Sequence, residues 1–482
     1  MIRQINRVTA VIIFLLLSLI VNVSYIQVFQ AHDLRKQAGN QRVILTEYSR
    51  ERGPILLGSK AVAQSTPTSD SLKYLREYAA GPTYAAISGF YSLVYGATGI
   101  EREENDVLAG NDSRFFVDRM QQLLAGRKPK GGAIRLTIDP DAQAAAVKAL
   151  NGRTGAVVAI DPKTGAILAL ASSPSFDPNL LSSHNAADIQ KNYEALNTDP
   201  NQPLLNRPLA MTLPPGSTFK LVTAAAALES GKYTAASVLP GPAELALPGT
   251  DKKLGNWTGK SCGANGKVSL KEALAISCNT AFASLGLELG ASAIYDQAKK
   301  FGFESSFDVP MTAATSHFPV DPNESQTAMS AIGQFDVRAT ALQMAMVSAG
   351  IANDGIVMRP YLVSQILGPD LSVLQNTTPL AFGRAMSSEN ANVLRDMMVN
   401  VVSAGTGTNA RISGIVVGGK TGTAENTPGE SAHAWFVGFA PAEGASIAIA
   451  VVLEHGGGAT EVSGNALAAP IAAAVMKALL KQ

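Results

Sequence analysis

The longest apolar run opens the chain: from Val8 to Ala31 no side chain is charged, and Val11–Val21 is almost wholly aliphatic. These 24 residues exceed the ~20 that cross a bilayer as a helix. Arg3 and Arg7 precede them, so the positive-inside tendency places residues 1–7 in the cytoplasm and everything beyond Ala31 outside. A cleaved signal peptide is the alternative, but the end of the stretch, Tyr25–Phe29, offers no A-x-A cleavage site. The pattern predicts an uncleaved membrane anchor over 8–31.

Past the anchor the pattern changes twice. Residues 33–125 mix short polar, aromatic and β-prone pieces. Tyr84–Ile100 reads as β-like, whereas Ser113–Leu124 spaces Phe115, Phe116, Met120, Leu123 and Leu124 onto one helical face. Gly126–Gly132 is the clearest linker, which divides a smaller domain (32–132) from a larger one (133–482). Beyond it, Asp141–Leu150 is helical, and Gly155–Ile160 and Ala166–Ala171 form a strand pair across a turn at Asp161–Gly165. Helical patterns follow at Ser217–Ser230, Ser269–Leu289 and Thr340–Asn353. Strands return at Ile415–Val417 running into Lys420–Ala424, at Ala434–Phe439 and at Ile447–Leu453, before a closing helix at Asn465–Leu480. The order predicts an α+β domain: one sheet built from both ends of the segment, with the helical middle as a separate lobe.

Composition narrows the function. At roughly 150 residues per domain, 482 residues suggest about three folded units. An apolar share of 46% excludes a wholly disordered chain. A net charge of +1 and no basic run argue against nucleic acid or another polyanion as partner. Neither CxxC nor HExxH is present, so nothing signals a metal or other cofactor. Outside the cell a Cys262–Cys278 disulfide is one option and two buried thiols the other; spacing alone does not decide.

Three stretches could carry chemistry. In Pro214–Lys220 (PPGSTFK) prolines and a glycine stop the preceding chain, so Ser217 falls at a helix start, where backbone N–H groups are unpaired. Lys220, three residues on, shares its face and can serve as the base a serine nucleophile needs, provided that burial or a nearby cation depresses its pKa. A plain N-cap beside a solvated lysine is the bland reading, but a lysine in the first turn opposes the helix dipole. Ser277-Cys278-Asn279 is a second candidate, about two turns into the helix that Ser269 and Glu272 begin. The competing copy at Ser388 and Asn390 looks like an ordinary helix cap. Third, Lys420-Thr421-Gly422-Thr423 offers a cation, hydroxyls and a glycine that lets a ligand backbone approach. A decoy at Lys163-Thr164-Gly165 is better explained as a turn.

Ser-x-x-Lys, then Ser-x-Asn, then Lys-Thr-Gly is the ordered signature of serine β-lactamases and penicillin-binding proteins. PPGSTFK, KTGTAE, His433–Pro441 (HAWFVGFAP), Gly155–Asn179 and IANDG with RPYLV (Ile351–Val363) resemble penicillin-binding proteins, strongly over 135–482 and loosely before. The chain looks most like the short actinobacterial, monofunctional class B members. Only His32 lies between Ala31 and Gly132, so the glycosyltransferase motif of class A relatives has no place there.

That resemblance implies peptidoglycan D,D-transpeptidation on the penicillin-binding fold, with no cofactor. Ser217 would attack the carbonyl between the terminal D-alanines of a stem peptide, and Lys220 would take its proton. Ser277 would relay a proton to the departing amine, and Asn279 would hold the peptide. Lys420 would keep the site positive, with Thr421 and Thr423 on the terminal carboxylate and Gly422 between them. Backbone N–H groups of Ser217 and Thr423 would form the oxyanion hole. β-Lactams would acylate Ser217. Residues 32–132 would be a pedestal or dimerisation-like module, docking a polytopic membrane glycosyltransferase and division proteins.

Three rivals stand beside this reading. A class A β-lactamase needs a Glu followed four residues on by Asn, and Glu288, Glu304, Glu324 and Glu389 all lack it. A D,D-carboxypeptidase would share the site but pass the acyl group to water. A β-lactam sensor or a scaffold would not need a transferring centre.

Overall fold

The apolar N-terminal run forms helix α1 (Ile2–Tyr25) in the computed structural model, which describes residues 2–30, 48–116, 120, 130–425, 429–459 and 462–481. Its Asn6–Tyr25 part, of mean hydropathy 2.4 and unburied by the rest of the protein, is long and apolar enough to cross a membrane.

Strands β1 (Ile55–Leu57), β2 (Lys60–Pro67) and β3 (Tyr74–Tyr78) form an antiparallel meander. The chain then enters α2 (Gly81–Ser88), where the pattern predicted a β-like piece from Tyr84. The difference has a local cause: Pro82 opens the first helical turn, and Gly89, at φ 67°, stops the helix before the aromatic residues. Only Tyr91–Ser92 and Gly96–Ala97 pair as a minimal hairpin. The helix predicted over Ser113–Leu124 is seen at its start, a 3₁₀ turn at Ser113–Phe115. Most of its remainder and of the Gly126–Gly132 linker lies outside the described residues, as does His32. Strand β4 (Ala133–Leu136) pairs in parallel with β1 and antiparallel with Val363–Leu367, so this sheet draws strands from both sides of residue 132.

Beside β3, at one end of the N-terminal sheet, lies an ionic cluster. The fully buried Glu101 carboxylate accepts from Arg52 Nε and Arg76 Nε, each at 2.6 Å, and from the Tyr78 hydroxyl at 3.2 Å. Burial alone would raise this carboxyl, but the two guanidiniums outweigh it and hold it below the usual glutamate value.

The larger domain begins with α3 (Pro140–Leu150), capped by the Asp139 carboxylate, and the hairpin β5 (Gly155–Ile160) and β6 (Ile167–Ser173). Its helical lobe includes α4 (Lys220–Glu229), α5 (Leu270–Ala275), α6 (Asn279–Leu289), α7 (Ala341–Ala352) and α8 (Ser388–Ser403). The return strands β7 (Gly418–Ala424), β8 (His433–Ala440) and β9 (Ile447–Leu453) complete an antiparallel sheet in the order β7-β8-β9-β5-β6, and α9 (Ala469–Leu479) closes the chain. The sheet is buried on both faces. Val158, Ala450 and Val452 join the core around α7, and Val157, Ile449 and Val451 join the core formed with α3 and α9.

Two predicted elements differ. Ile415–Val417 is not strand: Gly414, at φ 74°, turns the chain, and Val416 is exposed, its carbonyl accepting from Ala442 N–H. The helix expected over Ser269–Leu289 breaks between α5 and α6, where Ser277 adopts φ 60°.

Replacing Glu101 by Ala would strand two buried guanidiniums. The expected loss is about 3–5 kcal/mol, visible as a lower midpoint in thermal unfolding of the full chain; an unchanged midpoint would show that the cluster does not hold this sheet.

Candidate active site

The chain reaches Ser217 through a 3₁₀ turn, Gly216–Phe219, that runs directly into α4. Gly216 has φ 52°, donates its N–H to Gly333 O at 2.9 Å, and lies so close to β7 that an added Cβ would stand 2.9 Å from Thr423 O. Gly422 meets the same turn from the other side, where a Cβ would stand 2.9 Å from Pro215 O. Glycine at both positions lets the Ser217 turn and the sheet's edge strand touch backbone to backbone.

The turn carries Lys220 inward, fully buried. Its Nζ donates to Asn279 Oδ1 at 2.7 Å and Ser277 O at 2.8 Å, and lies 3.3 Å from Ser277 Oγ. From the opposite side, Lys420 on β7, also fully buried, donates to Ser277 Oγ and to Thr421 O, both at 2.8 Å. One hydroxyl thus stands between two amines delivered by separate stretches of chain. The positive φ of Ser277 lets both its carbonyl and its hydroxyl face Lys220, which an uninterrupted helix could not do. Burial first, and the Lys420 charge second, push the Lys220 amine well below the ordinary lysine range. Burial brings Lys420 down to about 7.

Ser217 is half-buried, and its hydroxyl has no hydrogen-bond partner among the described residues. Asn279, the first residue of α6, donates Nδ2 to Gly255 O at 3.2 Å, so its side chain bridges Lys220 and the 255–256 segment. Asn256 then caps α6 from a distance: its Oδ1 accepts from the N–H groups of Asn279 at 3.0 Å and Thr280 at 3.1 Å. Cys262 and Cys278 are joined in a disulfide that ties this segment to the Ser277–Asn279 break. On β7, strand alternation puts Thr421 and Thr423 opposite Lys420 and Gly422. The Thr421 hydroxyl pairs with Thr406 Oγ1 at 2.8 Å, and Thr423 is half-buried.

The decoys separate cleanly. Lys163–Gly165 lies in the β5–β6 turn, where the Thr164 hydroxyl donates to Asp161. Ser388 and Asn390 open α8, with Ser387 Oγ accepting from Asn390 N–H. Gly333, Asn256 and Thr406 were invisible in the sequence, because each acts on a site residue distant along the chain.

Two desolvated amines flanking one serine, with a second serine at a helix start three residues before one of them, are the parts of a serine acyl-transfer centre, and the α+β fold around them is the penicillin-binding transpeptidase fold. The chain belongs to the class B penicillin-binding proteins. The penicillin-binding protein transpeptidase domain family matches residues 155–477, and the penicillin-binding protein A dimerisation domain family matches residues 52–134. Peptidoglycan D,D-transpeptidase PbpA of Mycolicibacterium smegmatis is 44% identical over 99% of both chains, and PbpA of Mycobacterium tuberculosis is 41% identical over 99% of both. A solved structure of penicillin-binding protein A from M. tuberculosis, a ceftriaxone acyl-enzyme complex, superposes with a TM-score of 0.88 at 42% identity, covering 90% of this chain and all of that one.

Both lysines hold fewer protons folded than unfolded. For Lys420 the gap runs from about 7 to its ordinary 10.5. Across that window the unfolded chain binds the extra proton, so stability should rise with pH. Lys420→Met should flatten the rise in melting temperature between pH 7 and 9; an undiminished slope would place its origin elsewhere.

Proposed function

We propose that this chain is a peptidoglycan D,D-transpeptidase that cross-links stem peptides through a Ser217 acyl-enzyme and is inhibited by β-lactams. The observation that carries the assignment is the hydrogen bonding of Lys220. Asn279 Oδ1 and Ser277 O can only accept, and they lie 2.7 and 2.8 Å from Nζ. A third oxygen, Ser277 Oγ, lies 3.3 Å away; a neutral amine, whose two N–H groups go to the two nearer acceptors, meets that hydroxyl with its lone pair. Its lone pair is left for a hydroxyl proton, the state that the depressed pKa favours.

Ser217 Oγ then bonds to the carbonyl carbon of the penultimate D-alanine as Lys220 takes its proton. The backbone N–H groups of Ser217 and Thr423 receive the developing oxyanion; such donors are worth about 3 kcal/mol each. Strand β7 sits at the sheet edge and so has backbone groups to spare for a ligand. Collapse breaks the C–N bond to the terminal D-alanine. Ser277, in contact with both lysines, passes the proton to the departing amine. Lys420, Thr421 and Thr423 attract the terminal carboxylate, Gly422 admits its backbone, and Asn279 holds the donor peptide. An amine of a neighbouring strand next attacks the ester, forming the cross-link and freeing Ser217. A β-lactam leaves its opened ring attached, in the path of that amine. Water in place of the amine would give D,D-carboxypeptidase side activity.

Helix α1 supports a single-pass cell-membrane anchor over 8–31, with residues 1–7 cytoplasmic and the catalytic domain outside. Residues 32–132 serve as the pedestal, docking a polytopic membrane glycosyltransferase and division proteins, and residues 133–482 form the transpeptidase domain.

The Ser217→Ala chain should lose covalent labelling by a fluorescent penicillin while keeping its melting temperature; undiminished labelling would refute the nucleophile. With a D-Ala-D-Ala peptide and an amine acceptor, the wild-type chain should form more transfer product than hydrolysis product. Hydrolysis alone would make it a carboxypeptidase.

A further inference from the structure

Beside the nucleophile turn lies a loop that no step above uses. It is pinned at both ends to the residues just before Ser217: Gly333 O accepts from Gly216 N–H at 2.9 Å, and Ala339 exchanges backbone hydrogen bonds with Leu213 at 2.9 and 3.0 Å. An added Cβ on Gly333 would stand 2.1 Å from Gly216 O. Between the anchors, Val337 N–H reaches Gln334 O across a tight turn whose first central residue is Phe335, at φ 61°. Positive φ at that position alone is the pattern of turns that favour glycine, and a phenylalanine there is strained. The side chain gains little burial in return, since Phe335 remains 45% exposed. The neighbours hold this conformation in place. Arg338 Nη1 donates to both Phe335 O and Val337 O at 3.1 Å, Arg338 exchanges backbone hydrogen bonds with His317, and Val337 is fully buried beneath. An exposed aromatic kept in a strained backbone by a built support needs a reason other than stability.

Its position suggests one. The loop lies toward the Ala424 end of β7. Gly333 O holds Gly216 N–H, and an added Cβ on Gly216 would stand 3.0 Å from Ala424 Cβ. With the donor's carboxylate near Lys420 and Thr421 and its reacting carbonyl at Ser217, the preceding part of the peptide leaves past Thr423 toward that same end.

We infer that Phe335 is a specificity-determining residue of the acyl donor site, an aromatic wall that packs against the carbon chain of the stem-peptide residue preceding the D-alanines, or against the amide side chain of a penicillin. This rests on Ser217 as the nucleophile. A small β-lactam still needs only Ser217 and the lysines, whereas a donor with a bulky side chain also needs Phe335.

The test compares two probes on the full-length chain: benzylpenicillin, with an aromatic amide side chain, and 6-aminopenicillanic acid, which lacks one. Phe335→Ala and Phe335→Gly should slow acylation by benzylpenicillin about tenfold, the scale of a lost apolar pocket contact, and leave acylation by 6-aminopenicillanic acid within about twofold. Phe335→Tyr should retain the wild-type preference. Phe335→Gly should also melt higher than wild type, because it removes the strain. Equal effects on both probes, or none on either, would overturn the role of Phe335 while leaving the nucleophile intact. Failure of the wild-type chain to be acylated by either probe would instead remove Ser217 as nucleophile, and this inference with it.

Discussion

The arrangement depends on placing two lysine amines, both out of water, against a single serine hydroxyl. An isolated buried ammonium is costly, and two side by side are costlier. The fold meets this by lowering both affinities for protons and surrounding each Nζ with oxygen: Ser277 O, Ser277 Oγ and Asn279 Oδ1 around Lys220, and Ser277 Oγ and Thr421 O around Lys420. The remaining features of the cleft serve that contact. The α5–α6 break turns Ser277 to face both amines, the glycines at 216 and 422 let α4 and β7 close on each other, and Asn256 with the Cys262–Cys278 disulfide holds the break in place. Ser217 itself is left with no such ties. That difference suits a nucleophile, whose hydroxyl must be open to substrate, and an apparatus, whose parts must not move.

The sequence revealed most where a signal was local. Ile447–Leu453 matches its strand to the residue, because a short aliphatic run between turns suits a strand buried on both faces. The sheet built from both ends of the larger domain followed from element order alone. The three motifs were legible because their order is specific even though each triplet is weak. What failed was also local in origin. Tyr84–Ile100 looked like strand because its aromatic residues outweighed the Pro82 helix start and the Gly89 stop. Alanine and leucine on both sides of Ser277 carried the helical pattern straight across a break.

Contacts between residues far apart in sequence left no trace to read. Glu101 sits in an acidic, surface-like stretch, yet it is fully buried between Arg52 and Arg76. Asn256 caps a helix that begins 23 residues later, as its bond to Asn279 N–H shows. Phe335 reads as an ordinary apolar residue until its backbone angle and exposure are seen together. These are positions where tertiary structure overrides local preference, and one of them, Asn256, holds the helix that presents Asn279 to Lys220.

Burial, and then the Lys420 charge, make the Lys220 amine give up its proton far more readily than a surface lysine does. The most direct measurement is ¹⁵N NMR of the lysine side-chain nitrogens in lysine-labelled protein, with Lys220 assigned by the signal missing from Lys220→Arg. The account predicts a Lys220 Nζ resonance that changes to that of a neutral amine at a clearly lower pH than the resonances of surface lysines. A Lys220 resonance that stays in the ammonium range up to pH 10 would contradict it.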